Sequence, residues 1–394
     1  MPADAARPSL RADPNPFREV PLARSHQYRN GLIHYAPDFA CRGYTLFSGG
    51  APARAYLIDM KGRICKRWSH PRGISYAQLL PSGNLLCRAT PSPDVQGMRG
   101  LMGQSPSVFE LDWEGNLVWE FNDEWLHHDQ HRLADGSTLL LAWRWLPEEI
   151  GARVKGGIAK PDDPTRLLAD VILTVDPAGK IVSEWRSWEH LDPDEDVICP
   201  MDHRLEWTHA NSICETPDAD WLVSFRRTHT VAAIDPKTGA FRWKWGRGVV
   251  HHQHDPKILA NGRLLLFDNG VHRFGDADYS RVLEVDRASG EIAWSYADDP
   301  PFHFYSVMAG SADRLANGNT LICHASVGRL FEVAPDRQIV WEYVNPFYVH
   351  NPRLGGSANI VFKAHRHLPD DPALTGRDLD PALYAELNRF YGPE

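Results

Sequence analysis

Apolar and polar positions alternate with a period of two along many short stretches of this chain, and turn residues separate the stretches at short intervals. That alternation is the pattern of β-strands. One hairpin pattern, Asp–turn–Gly–apolar–Trp, recurs six times. Its copies are DMKGRICKRW from Asp59, DWEGNLVWE from Asp112, DPAGKIVSEW from Asp176, DPKTGAFRWKW from Asp235, DRASGEIAWSY from Asp286 and the looser PDRQIVWEY from Pro335. Successive starts are 53, 64, 59, 51 and 49 residues apart. A period of about 50 residues matches one four-stranded propeller blade.

A second hairpin pattern, with Asn-Gly or Asp-Gly at its turn, lies between copies of the first. It reads LLPSGNLLC from Leu79, RLADGSTLLLAW from Arg132, KILANGRLLLFDN from Lys257 and RLANGNTLICHA from Arg314, with a degenerate copy from Ser212. The glycine supplies the positive φ of a tight turn. Two hairpins in series make a blade. The expected fold is therefore all-β: a six-bladed β-propeller of four-stranded antiparallel blades. The runs Gly43–Gly50 and Asn359–Lys363 have no blade of their own and are expected to be the N- and C-terminal strands that close one shared blade and remove its edges.

The expected division is an N-terminal arm and lead-in over 1–40, with 1–15 extended, the propeller over 41–370, and a C-terminal helical tail over 371–394. Two segments fall outside the repeat. Arg144–Asp170 reads as a loop with a short helix, and Arg186–Glu206 as a loop rich in Asp, Pro and His. Long loops in a compact domain often serve as lids.

Composition narrows the function classes. The chain has 394 residues, 43% hydrophobic and 24% charged, as in an ordinary globular protein. Much of the Trp, 14 residues, falls at the repeated hairpin and is expected to pack blade against blade. The net charge is −9 and no Lys/Arg stripe exists, which argues against a nucleic-acid partner. No apolar run is long enough to span a membrane. The N-terminus lacks the apolar core of a signal peptide, so a cytoplasmic address is expected, or a periplasmic one if a leader was removed. The six cysteines show no regular spacing and read as buried reduced thiols.

Histidine is the candidate chemistry. With the blades aligned on the turn glycine, His128 lies eight residues before Gly136 and His254 eight before Gly262, each followed by Asp. His209, in WTHANSI, falls near the same place in its blade. Equivalent positions of a radial repeat converge on the axis, so His128, His209 and His254 are expected at one channel mouth. A lone histidine there would read as structural; three at one blade position read as a site. His127, His131, His251 and His252 are weaker candidates, and His128-x-x-His131 is a poor metal spacing on a strand. Alternation places His209 with Asn211, and His252 with His254, on shared faces. Arg226 and Arg227, in VSFRRTHT, are expected to extend the partner strand and point in opposite directions, one of them into the site. Arginine offers a planar fork for oxyanions, and neutral imidazole serves as nucleophile, base or acid.

At these residues the chain resembles the arylsulfate sulfotransferase family of six-bladed propellers over about residues 40–370. The resemblance rests on HHDQHRLADG, WTHANSI followed by SFRRTHTVAAIDPKTG, QHDPKILANGRLLLFDNG and NIVFKAHRHLPDDP. It implies sulfuryl transfer from an aryl sulfate to a phenolic acceptor through a sulfated histidine, with no nucleotide donor. His254 matches the nucleophile, His128 and His209 the assisting pair, and Arg226 the sulfuryl-binding arginine. Asn211, Arg227 and His252 are candidate substrate contacts. No cofactor is implied, the expected partner is a small aromatic substrate, and a homodimer is left open. Two other readings stand beside this one. The first is a metal enzyme, with Fe, Cu or Zn held by His128, His209 and His254, acting as a hydrolase, lyase or oxygenase on a small aromatic substrate. The second is a non-catalytic binding propeller.

Overall fold

A computed structural model describes residues 29–51, 53–91, 101–159, 166–351 and 355–391. The arm expected over 1–15 lies outside these. The described residues form six antiparallel blades around an axis. Innermost strand first, blade 1 is Ala364–His367, Tyr44–Gly49, Arg54–Ile58 and Ile64–Trp68. Blade 2 is Tyr76–Leu79, Leu85–Arg88, Ser107–Leu111 and Leu117–Asn122. Blade 3 is Leu126–Arg132, Thr138–Trp145, Leu168–Val175 and Ile181–Arg186. Blade 4 is Ala210–Glu215, Trp221–Phe225, Thr230–Ile234 and Phe241–Trp245. Blade 5 is His254–Ile258, Leu264–Asp268, Arg281–Val285 and Ile292–Tyr296. Blade 6 is Ser311–Arg314, Thr320–His324, Arg329–Val333 and Ile339–Val344, with Gly31–Tyr35 added outside as a fifth strand.

The core lies between blades. Successive residues of a middle strand face opposite neighbours: Leu264 and Leu266 pack towards blade 4, Leu265 and Phe267 towards blade 6. Both faces of each sheet are thus apolar, and no blade can bury them alone. The hairpin tryptophans join the blades. The Nε1 groups of Trp185, Trp294 and Trp341 donate to the carbonyls of Gly239 (2.9 Å), Pro335 (3.1 Å) and Met60 (2.9 Å), each in the outer hairpin of the next blade.

The ring closes in one shared blade, but with different residues from those expected. The C-terminal strand is Ala364–His367, paired with Tyr44–Phe47, rather than Asn359–Lys363. Lys363 just precedes it, and its Nζ lies 2.7 Å from Asp129 and 2.9 Å from Asp255. The first segment outside the repeat has the short helix expected of it, and the two segments are joined by a strand pair that the loop reading did not foresee. They contain a short helix, Glu148–Gly151, and a parallel strand pair, Gly156–Ile158 with Ile198–His203. Leu146, Val154, Leu191, Ile198 and Trp207 give this insertion its own apolar cluster. The described part of the tail includes the helix Ala385–Tyr391, where Asn388 bonds both backbone groups of Ile64 on the outer strand of blade 1. No helix among the described residues is long and apolar enough to cross a membrane.

The outer hairpins turn alike: the glycine N–H returns to the opening Asp carbonyl, three residues back in blades 1 to 3 and four back in blades 4 and 5. The opening Asp accepts backbone N–H bonds, as Asp59 does from Lys61 and Arg63 (both 2.9 Å), and a glycine such as Gly62 (φ 77°) follows in the left-handed region. The looser sixth copy has no glycine, and Arg337 takes that conformation instead, with φ 73°. A left-handed non-glycine residue costs about 1–2 kcal/mol, and glycine loses about 0.5–1 kcal/mol more backbone entropy on folding. Arg337→Gly is therefore expected to stabilise the protein by about 0.5–1 kcal/mol, read as a higher denaturation midpoint with an unchanged slope; an unchanged or lower midpoint contradicts the turn assignment.

Candidate active site

His128, His209 and His254 stand at or just before the entries of the innermost strands of blades 3, 4 and 5, where the radial repeat brings equivalent positions together. The rings of His128 and His209 lie 4.4 Å apart, and His254 is near enough to both to disfavour their cationic forms or be disfavoured by them. The three are only 4, 6 and 3% exposed. Inner-strand bulges aim them. Asn211 is an extra residue between the pairs Ala210–Phe225 and Ser212–Ser224, and similar irregularities follow His254 and interrupt the pairing around His128. His128 and His209 sit at φ 50° and 53°, in a region that non-glycine residues rarely occupy.

Each imidazole is held by Nδ1. His209 Nδ1 donates to Glu206 Oε1 at 2.6 Å. His254 Nδ1 donates to Asn269 Oδ1 at 2.7 Å and faces the His252 carbonyl at 3.1 Å. The Asn269 amide cannot turn round, because its Nδ2 donates to the carbonyls of Ser306 and Ala309, both at 2.8 Å. His128 Nδ1 meets His127 Nδ1 at 3.0 Å, and His127 Nε2 faces Asp170 Oδ1 at 3.1 Å. His127 also stacks on Trp143, at 4.1 Å. Gly103 closes on His128 from the other side: a Cβ there would come within 2.2 Å of the ring. With one proton per neutral ring placed on Nδ1, all three Nε2 atoms are unprotonated, and none is hydrogen-bonded by a described residue.

The electrostatics keep the rings neutral. Burial first, then His209 and His127, holds His128 well below the usual 6.5. Burial and then Arg226 do the same to His254. Burial lowers His209 despite the opposing pull of Glu206. Burial alone would raise the Glu206 pKa, but His209 and Arg227 outweigh it and bring it to about 2, so the carboxylate stays ionised.

Arg226 and Arg227 do not continue the strand. It ends at Phe225, and both residues lie in the following turn, their N–H groups donating to the carbonyls of His209 (3.1 Å) and Thr208 (3.0 Å). Alternation therefore does not govern them. Arg227 lies behind the site, 3.3 Å from Glu206 Oε1. The Arg226 guanidinium bears on His254 and His209, and its one ion pair among the described residues is a long 3.8 Å contact to Asp202. Its donors remain available for an anion.

The other candidates fall elsewhere. Asn211 is fully buried and donates to the Gln253 carbonyl at 2.8 Å, tying blade 4 to blade 5. His252 does not share a face with His254: the strand begins only at His254, and His252 is left-handed at φ 60°. It meets Asp202 at 2.9 Å and packs on His229 and His272. His131 lies towards the opposite mouth, on a cavity of ≈ 470 Å³ shared with Asp129, Lys257, Lys363 and His365. The metal-dependent alternative named His128, His209 and His254 as ligands, and the structure brings a different group of donors together. Among the described residues, the set of three or more potential ligand residues whose donor atoms all lie within 4.8 Å of one another is Cys199, Asp202, His252 and His272, not His128, His209 and His254. Glu206, Asn269 and Asp170 were not legible as site residues, since no repeat position marks them.

Folded-state pKa values depressed below the unfolded 6.5 make a testable signature. As pH falls below 6.5 the unfolded chain takes up protons first, so the stability these histidines provide, complete above 6.5, declines towards their folded-state values. His324, brought by burial to about 4, adds to the effect. The melting temperature is expected to fall between pH 7 and pH 5, above the range in which the carboxylates titrate. Asn269→Asp should shrink that fall, because an anion beside Nδ1 raises the His254 pKa. A melting temperature unchanged over this interval contradicts the neutral-imidazole assignment.

A family model described as arylsulfotransferase (ASST) matches residues 107–346, more than half of the chain. No curated protein matches it significantly. Among solved structures, the chain is similar to a protein of unknown function from Bacteroides caccae, at 13% identity and TM-score 0.52, over 82% of this chain and 98% of that one. A streptogramin B lyase is similar at 11% identity and TM-score 0.44, over 80% of this chain and 82% of that one. Virginiamycin B lyase from Staphylococcus aureus gives 10% identity and TM-score 0.38, over 68 and 69%. At such identities the first likeness concerns the fold alone, and the two lyases carry no argument. The family match is of another kind: it spans all the blades that supply His128, His209, Arg226 and His254, and by it the chain belongs to the arylsulfotransferase family.

Proposed function

We propose that the protein transfers a sulfuryl group from an aryl sulfate to a phenolic acceptor in two steps through His254. The carrying observation is that three neutral imidazoles have Nδ1 tied and Nε2 free beside an arginine whose donors are largely uncommitted. In the first step His254 Nε2 attacks sulfur, an N–S bond forms, the S–O bond to the aryl group breaks and a phenolate leaves. In the second, a phenolic oxygen attacks the same sulfur after giving its proton to a base, and the N–S bond breaks. No nucleotide-bound donor is required.

The tethers favour this division of roles. Asn269, a neutral amide, orients His254 without drawing a proton to it, which suits a nucleophile. Glu206 backs His209 with a carboxylate that would stabilise an imidazolium, which suits a general base. Arg226 faces the sulfuryl oxygens with a planar fork. Asn211 and Arg227 act indirectly, through the blade 4–5 contact and through Glu206.

The test is steady-state kinetics with a nitrophenyl sulfate and a phenol. Parallel-line, ping-pong patterns are expected. His254→Ala and His254→Asn should lose transfer completely. Arg226→Lys keeps the charge but not the fork and should reduce kcat by on the order of 10²-fold while the fold survives. Intersecting patterns, or full activity in His254→Ala, overturn the proposal.

A further inference from the structure

We propose that Cys199, Asp202, His252 and His272 form a binding site for a divalent transition ion of the zinc class, distinct from the three-imidazole centre. The four residues come from three segments: Cys199 and Asp202 from the insertion strand Ile198–His203, His252 from the approach to the innermost strand of blade 5, and His272 from the loop after that blade's second strand. Their donor atoms all lie within 4.8 Å of one another. Cys199 Sγ is 3.5 Å from His272 Nδ1, His252 Nε2 is 2.9 Å from Asp202 Oδ2, and His272 Nδ1 is 3.7 Å from Asp202 Oδ1. Ligands at about 2.0–2.3 Å from a tetrahedral ion lie roughly 3.3–3.8 Å apart, so the Cys199–His272 edge already has the right length. Asp202 meets His252 through Oδ2 and His272 through Oδ1, and a small opening of the His252 contact lets one carboxylate oxygen serve as the ligand.

The chemistry of the four points the same way. One thiolate, one carboxylate and two imidazoles make a zinc-type donor set, and their two negative charges balance a divalent cation, which permits burial. His252 faces two acceptors, the Val271 carbonyl at 2.8 Å on Nδ1 and Asp202 on Nε2. A ring with one proton satisfies only one of them, and a cation among the four donors satisfies the other. The Nδ1–Val271 bond is the kind of supporting contact that orients a ligating histidine. His252 and His272 are both left-handed, at φ 60° and 58°, and such backbone persists where its surroundings impose it. The ion would pin the insertion to blade 5 and engage Asp202, leaving Arg226, now 3.8 Å from that carboxylate, to the sulfuryl group.

Co²⁺ titration of the full-length chain tests this without reference to activity. About one equivalent should bind with tetrahedral visible bands and a thiolate-to-cobalt charge-transfer band, and Zn²⁺ should displace it. Cys199→Ser should abolish the charge-transfer band. His272→Ala should weaken binding by more than about 10-fold, the least that losing even a supporting contact costs. Circular dichroism of both variants checks that they fold. Absence of tetrahedral binding by the unaltered chain, or an unchanged spectrum and affinity in both variants, overturns the proposal. Sulfuryl transfer stands or falls separately, by the kinetics of His254→Ala.

Discussion

Each channel imidazole is fixed from behind through Nδ1, and the chemistry of the site depends on that constraint. A buried neutral ring carries one proton. Once a carboxylate, an amide oxygen or a second imidazole takes it, the remaining lone pair has one direction in which to point. Glu206, Asn269 and His127 thus do more than pack against their neighbours: they decide which nitrogen faces the axis. Burial supplies the other half of the constraint, since it disfavours the imidazolium that would occupy both nitrogens with protons.

The constraint is tied to ring closure. Asp129 follows His128 and Asp255 follows His254, and Lys363, the residue before the closing strand, bridges the two carboxylates. Lys257 joins Asp255 to Asp313, and His365 meets Asp313 at 2.9 Å and the Tyr76 hydroxyl at 3.0 Å. The C-terminal segment therefore completes blade 1 and also brings Lys363 and His365 to the wall of the cavity at the opposite mouth. Buried ion pairs of this kind contribute little net stability after desolvation, but leaving one partner unpaired is costly. The network is better read as holding the register of blades 3, 5 and 6 around the axis.

The fold was legible because its signals repeat. Five of the six hairpins carry the Asp and Gly their turn requires, and the sixth shows the rule by its exception, Arg337. The histidine trio was legible for the same reason, since a shared blade position becomes a shared place in space. What lay outside the repeat was not. Glu206 and Asp202 come from an insertion, and Asn269 from the end of a neighbouring strand. Strand alternation misplaced His252 and the Arg226–Arg227 pair because left-handed backbone and a tight turn interrupt the period of two. The closing strand was set five residues early, because NIVFK and AHRH both offer strand-like alternation and only the pairing with Tyr44–Phe47 distinguishes them.

The central claim is that His254 Nε2 is the free nucleophilic nitrogen. Its most direct measurement is peptide mapping by mass spectrometry after rapid mixing with an aryl sulfate in the absence of acceptor. The account predicts one sulfuryl group per chain on the peptide containing His254, released when a phenol is added and absent in His254→Ala. A label on His128 or His209, or no label while transfer proceeds, would contradict it.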